Sequence, residues 1–448
     1  MNDRAPPLAN PVDAEAEAGA GADGAAFVRA VSQYAQDRPV VTSRAIYNKH
    51  GVKLIEGGVR VDATLYDRLI AHRLAVPLDE CVDSELPLDG SSLVEACESA
   101  MARIPFFDLM GTAGRVRSML LQSIGSIALP RPVAFHLKLA RDTRPDLYEH
   151  SVLMALLCAH LVRESGAPIH DMTVAASAGL LHDLGMLHIE ADLLESTSRL
   201  NGAERRPLYA HPITSSMLIA RFHEYPRPVV RAILEHHERL DGSGYPRGLV
   251  GAAISPLGRL LSLCEVVTAM FGSERQRPIE RISLLLRVST ERYDAALVPS
   301  IQRLLREVPA SGSAIKQTIA ESIERLRIGG ALLAQWHVLA ASAIGTLDGA
   351  ARDVVLAMQE QAERFQRMMF NAGASPEQLD LLGCDEAVDA VDAALQDELW
   401  ALGCEIEWQL RASSNQLRRR WRAATQDAPL PAPIAAWVDA VDAIETRD

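Results

Sequence analysis

The pattern of apolar and polar positions changes character twice along the chain. Residues 1–26 carry Ala, Gly, Pro and acids with almost no bulky apolar group. Such a segment buries too little surface to offset its chain entropy and is expected to be a disordered tail. From Pro39 short apolar runs appear in Val40-Val41, Ala45-Ile46-Tyr47 and Val52-Lys53-Leu54-Ile55, and the last two flank the turn-like Asn48-Lys49-His50-Gly51. This predicts short strands around a turn. After the break at Gly57-Gly58, Asp62 has the place of an N-cap for a helix through Leu65, Leu69, Ile70 and Leu74. The result is a small β-plus-helix module over 38–80.

From Ser91 onward alternation nearly vanishes and helical spacing takes over. Leu93–Ile104 and Ala113–Ile127 read as connecting helices within 88–129. Pro145 suits the first turn of a helix that runs through His150, Met154, Leu157 and Leu161 and stops before Gly166. Asp171–Leu184 follows, with Gly185 placed to end it, and then Pro212–Phe222, Arg227–Glu238 and Pro256–Phe271. This helical core closes near Val308, giving a domain over 130–308, and Ser311-Gly312-Ser313 opens a C-terminal helical region over 314–446. The uncharged stretch Ile328–Leu347 contains Gly329, Gly330, Gln335, His337 and Ser342, so a buried bundle helix is expected there, not a membrane span. The fold is expected to be mainly α, with a small β-containing module in front.

Composition supports helices, because aromatic residues are 5% of 448 and the core must be built from Ala, Leu, Val and Ile. A net charge of −13 argues against a nucleic-acid polymer as partner, since coating phosphates needs a basic footprint. A small anion remains acceptable where metals or local arginines reverse the field. The six cysteines lie far apart without a C-x-x-C pair, and the N-terminus has no charged-then-apolar leader. Reduced thiols and a cytoplasmic location are the expectation.

Nine of the thirteen histidines fall between His150 and His237. His182-Asp183 ends an apolar helix, and His236-His237 closes another just before Asp241-Gly242-Ser243-Gly244-Tyr245-Pro246. His211 precedes Pro212, which predicts a non-helical backbone and a side chain at a helix start. Glu265 lies inside the apolar run Leu260–Met270, where an unpaired carboxylate is costly. Adjacent helical residues point about 100° apart, so each pair fits two ions about 3.5–4 Å apart better than one. Imidazole and carboxylate ligands suit iron, manganese or zinc. His160, His170, His188 and His223 read as packing or surface histidines.

In these residues the chain resembles the HD-GYP family, bacterial phosphodiesterases of cyclic di-GMP built on the all-helical HD-domain fold. The matching text is His150, His182-Asp183-Leu184-Gly185, His211-Pro212, His236-His237-Glu238, Asp241 to Leu249, Ile254-Ser255, Gly258-Arg259 and the Glu265 helix, about 130–308. The module at 39–80 also resembles a short lead segment found before some members. The resemblance implies two divalent ions, iron or manganese. One would take His150, His182, Asp183 and Glu265, and the other Asp183, His211, His236 and His237. His182 and Asp183 would be the catalytic pair, and cyclic di-GMP would be cut to pGpG or GMP. Asp146, one helical turn before His150, is a candidate for a third ion; an acid in a first turn also serves the helix dipole. Arg275 and Arg277 would contact substrate phosphate. Gly244, Tyr245 and Pro246 would shape the site mouth or dock a partner such as a diguanylate cyclase.

Three positions depart from the family pattern. Met186 stands where Lys is usual and cannot donate to phosphate; Glu265 replaces an Asp; Thr268 replaces another Asp. Three functions are therefore carried forward: an active cyclic di-GMP phosphodiesterase, a degenerate member acting as a metal- or nucleotide-binding sensor or interaction module, and an HD-type hydrolase of another nucleotide. The Gly244-Tyr245-Pro246 element favours the first two.

Overall fold

The structure, a computed structural model, describes residues 26–61, 69, 71–72, 74–84, 88–190, 206–272, 277–289, 291–308, 319–347, 349–371, 374–376, 378–379 and 393–444. The segment before Ala26, most of the helix expected after Asp62 and the Ser311-Gly312-Ser313 break lie outside them. The chain divides into two compact units, one of residues 1–273 and 291–308, the other of 274–290 and 309–448. This departs from the expected domain over 130–308, because 274–290 belongs to the second unit.

In the first unit a helix missing from the sequence reading, α1 over 26–37, precedes the strands. Phe27, Val28, Val31, Tyr34 and Ala35 are all buried, at a spacing that puts them on one helical face. Strands β1 (Val40–Thr42), β2 (Ile46–Tyr47) and β3 (Lys53–Ile55) fall where short apolar runs predicted them. β2 and β3 pair antiparallel across the turn, with Ile46 opposite Ile55. β1 pairs with β4 (Val82–Ser84), Val40 opposite Ser84, so the sheet reaches past the expected boundary at 80. That pairing is non-local, and no short-range pattern marks it.

Helices α2 (Gly90–Arg103) and α3 (Gly114–Gly125) lead to α4 (Arg131–Thr143), α5 (Pro145–Glu164) and α6 (Ile169–Leu181). α2 begins at an Asp89 N-cap whose carboxylate accepts from the Ser92 amide. α5 and α6 approach closely because Gly179 lacks a side chain. A Cβ there would lie 2.8 Å from the Met154 carbonyl oxygen. This contact sets the spacing between His150 on α5 and His182 at the end of α6. A 3₁₀ turn, Leu184–His188, then leads to α7 (Arg206–Ile219), α8 (Arg227–Glu235), α9 (Pro256–Thr268) and, after 274–290, α11 (Val298–Glu307).

The second unit contains α10 (Pro278–Val288), α12 (Ile319–Ile344), α13 (Gly349–Asn371), α14 (Ala393–Thr425) and α15 (Ala432–Asp442). Its core joins Trp336, Trp400 and Trp437 to Leu333, Val355 and Leu410, and Leu284 of α10 is part of it. The Trp437 indole donates to the Leu332 carbonyl at 2.8 Å. Residues 328–344 are thus bundle helix, and no helix among the described residues is long and apolar enough to cross a membrane.

His160 on α5 illustrates how burial sets acid sensitivity. It is 4% exposed, and burial, reinforced by Arg163, pushes its imidazole down to about 4. The unfolded chain, with an ordinary imidazole near 6.5, therefore binds more protons between those two values. The stability this group contributes is complete above pH 6.5 and is lost as pH falls towards 4. Between pH 7 and 4.5 the loss is about 2–3 kcal/mol. Urea unfolding of His160→Gln at both pH values should show a pH-dependent loss smaller by that amount; an unchanged loss would remove His160 as its source.

Candidate metal centre

Seven side chains from five chain segments meet in the first unit. His150 comes from α5, His182 and Asp183 from the end of α6, His211 from α7, His236 and His237 from the end of α8, and Glu265 from α9. They form two groups, each compact enough to hold one ion: His150, His182 and Glu265, and Asp183, His211, His236 and His237. Asp183 faces both. Its Oδ2 lies 3.3 Å from His182 Nε2, and its Oδ1 lies 3.0 Å from His211 Nε2 and 3.6 Å from His236 Nε2. Glu265 Oε2 completes the other group, 3.0 Å from His150 Nε2 and 3.3 Å from His182 Nε2.

One local device orients three of these histidines. The Nδ1 atoms of His182, His211 and His236 lie 2.7, 2.5 and 2.6 Å from the carbonyls of Gly179, Leu208 and Ile233. A carbonyl only accepts, so Nδ1 carries the proton and Nε2 offers a lone pair. Each carbonyl is one the helix has released. α6 and α8 end at Leu181 and Glu235, leaving Gly179 and Ile233 without an amide four residues on. Leu208 is released because residue 212 is proline and has no N–H.

That corrects the expectation for His211. Its backbone is helical, and Pro212 lies inside α7, not at its start. The restriction before proline is a preference, and here the lost hydrogen bond is replaced by the histidine side chain.

With Nδ1 protonated, His211 and His236 turn bare Nε2 atoms toward each other at 3.2 Å. His182 Nε2 and Asp183 Oδ1 are buried and make no hydrogen bond. Facing lone pairs and orphaned acceptors in a dry site are unfavourable unless a cation lies among them, so the donor set fits divalent metal. Burial acts against the Asp183 and Glu265 carboxylates, but the surrounding imidazoles outweigh it and hold both well below the usual range. Burial and the neighbouring His182 push His236 down to about 3, and burial pushes His237 down as well. For His182 burial is overcome by Asp183 and Glu265, which raise it. The site presents anionic carboxylates and, at His236 and His237, neutral imidazoles, the forms that ligate.

The centre opens on one side. His150, Glu265 and Asp183 have side chains 19, 13 and 12% exposed, whereas His182 and His236 have none. Tyr245 stacks on His237 with ring centroids 4.6 Å apart, and Tyr209 meets Tyr245 edge-on at 4.9 Å. Gly244 permits this, because a Cβ would lie 2.4 Å from the Arg239 amide nitrogen. Pro246 follows in cis.

Sequence reasoning gave no role to two buried acids that hold this loop. Glu238 accepts from the amides of Arg247 and Leu249, both at 2.8 Å. Glu235 accepts from the Ser255 amide at 2.8 Å and from Arg231 and Arg247. Their signal was present as acids flanking the histidine pair in Glu235-His236-His237-Glu238.

The remaining predicted residues are placed as follows. Asp146 is exposed in the first turn of α5 and belongs to neither ligand group. Arg275 lies outside the described residues. Arg277 belongs to the second unit and pairs with Glu280 at 3.7 Å; the ligand groups are complete without it. Met186 is half-buried in the 3₁₀ turn. Thr268 is buried and donates to the Cys264 carbonyl at 2.8 Å, within its own helix.

Known proteins resemble this chain over part of its length. A family model described as an HD domain matches residues 134–297. A 3′3′-cGAMP-specific phosphodiesterase of Vibrio cholerae is 37% identical over 123 residues, 28% of this chain and 28% of its own. A cyclic di-GMP phosphodiesterase of Pseudomonas aeruginosa is 34% identical over 155 residues, 34% of this chain and 37% of its own. The chain thus matches about a third of the length of these relatives. A solved HD-GYP-type protein from Bdellovibrio bacteriovorus aligns with 60% of this chain and 94% of its own, at 14% identity and a TM-score of 0.34.

Proposed function

We propose, from the match of residues 134–297 to an HD-domain family model, that the chain is an HD-GYP-type metal-dependent phosphodiesterase of cyclic di-GMP, yielding pGpG or GMP. The observation that carries the reading is Asp183, whose two oxygens face two separate histidine groups. His150, His182, Asp183 and Glu265 would hold one ion, and Asp183, His211, His236 and His237 the other. Bound there, such a pair supplies an activated water and charge stabilisation on a phosphoryl group. The residues do the rest. The carbonyl-held histidines keep their Nε2 atoms aimed inward without reorganisation. The open rim at His150, Glu265 and Asp183 admits the phosphodiester. The stacked Tyr245 and His237 exclude water beside it.

A second reading, a degenerate binding module, is favoured by Met186, which puts a thioether where an ammonium donor is usual in the family. One assay separates the two. Anaerobically purified protein, loaded with iron(II) or manganese(II), is incubated with cyclic di-GMP and, because one relative is specific for 3′3′-cGAMP, with that dinucleotide too. Chromatography should show slow but measurable formation of linear product from cyclic di-GMP. Met186→Lys should raise the rate, by up to the 10²–10⁴-fold typical of a positioned proton donor, without changing metal content. An inactive wild type together with an inactive, folded and metal-loaded Met186→Lys would overturn the enzyme reading and leave the binding module.

A further inference from the structure

The segment from Leu184 to Glu190 leads directly out of Asp183 and supplies none of the ligand groups, yet its backbone is held with care. Arg144, the residue before α5, donates through Nη1 to the Met186 carbonyl at 2.6 Å and through Nη2 to the Ile189 carbonyl at 2.9 Å. Its own backbone joins two helices: its amide donates to the Ala140 carbonyl of α4, and its carbonyl accepts from the Tyr148 amide of α5. Arg144 therefore stands in fixed relation to His150, six residues on. The N-terminal helix α1 touches the same segment. The Phe27 ring stacks on His188 at 4.7 Å and on His136 at 4.6 Å, and Arg29 pairs with Glu190 at 2.5 Å. Tyr34 donates to Asp142 at the end of α4 at 2.8 Å.

We infer that Arg144 is a positioning residue for the Asp183 carboxylate, and that α1 is a second brace through which the N-terminal module acts on the metal centre. Asp183 must keep one oxygen toward each histidine group. The 3₁₀ turn that follows it has weaker internal hydrogen bonding than an α-helix, so the carboxylate's direction depends on what holds the turn. A planar guanidinium spans two carbonyls at once, whereas a lysine ammonium on one stem reaches one of them. Partners bonded directly to a ligand are worth about 10–100-fold in metal affinity, and Arg144, which acts through the backbone after Asp183, is expected at the lower end of that range. The inference rests on the two-metal reading of the site.

The test uses the full chain and manganese(II) alone. Metal per chain is measured after desalting, and electron paramagnetic resonance distinguishes an exchange-coupled pair from isolated ions. The wild type should bind about two ions with a coupled signal. Arg144→Ala should bind the pair about 10-fold more weakly and replace the coupled signal with that of isolated ions. Arg144→Lys should fall between, and Phe27→Ala should move in the same direction by less. Near-wild-type affinity and coupling in a folded Arg144→Ala would overturn the inference. Should that variant not fold, the same outcome in both Arg144→Lys and Phe27→Ala would overturn it. A wild type that shows no coupled pair overturns the two-metal reading itself, and the inference with it.

Discussion

Asp183→Asn should leave a folded protein that has lost most of its metal and all measurable phosphodiesterase activity. The amide keeps the size of the carboxylate but presents only one oxygen, so one of the two histidine groups meets an NH₂ donor instead of a ligand. The anionic charge shared between the groups disappears as well, at a position where the neighbouring imidazoles hold the carboxyl strongly ionised. Elemental analysis should fall from about two ions per chain to well below one. Retention of both ions would show that Asp183 does not bridge.

The second large effect is expected at Gly185→Ala. The Gly185 amide donates to Ser215 Oγ at 2.8 Å, and an added Cβ would lie 2.5 Å from the His211 carbonyl oxygen and 2.8 Å from the Ser215 amide nitrogen. The His211 carbonyl and the Ser215 amide are backbone atoms inside α7, so neither can swing aside as a side chain would. The methyl group should push α7 away from the Asp183 turn, carrying His211 with it. Overpacking of this kind costs about 1–3 kcal/mol. Urea unfolding of the metal-free protein should show that loss, and metal analysis should show depletion of the ion held by His211, His236 and His237. Wild-type stability and metal content would mean that the turn and α7 are not rigidly coupled.

These two predictions draw on different kinds of legibility. The candidate ligand pairs could be read from the chain because adjacent histidines on a helix cannot serve one ion tidily, and because Glu265 would be costly in an apolar run without a partner. The helices from 90 to 181 followed from apolar spacing for a similar reason: local periodicity reports a local structure. What could not be read was set by distant partners. β4 is a strand because β1 lies beside it, and α10 joins the second unit because Leu284 packs into a core built from residues far along the chain.

Two misreadings have a more specific cause. α1 carries its apolar stripe in Phe27, Val28, Val31, Tyr34 and Ala35, but follows a tail of Ala, Gly and acids whose composition dominated the reading. Pro212 reads as a helix start because the residue before a proline is biased away from the helical region. Its place within α7 makes sense only once the Leu208 carbonyl is seen holding the His211 ring. The proline removes one donor, and the His211 imidazole supplies another.

The route of the chain between its two units bears on how the protein is made. It leaves the first unit after Ser273, returns at Glu291 and leaves again after Val308. During synthesis the ligand-bearing unit can close once residue 308 has emerged, but α10 must then wait for α12 and α14 before Leu284 finds its core. Until that moment an apolar helix is tethered beside a finished domain, the kind of exposed surface that chaperones bind. A fragment ending at Val308 would hold that unfinished state permanently, so excising the first unit cleanly calls for replacing 274–290 with a short polar link.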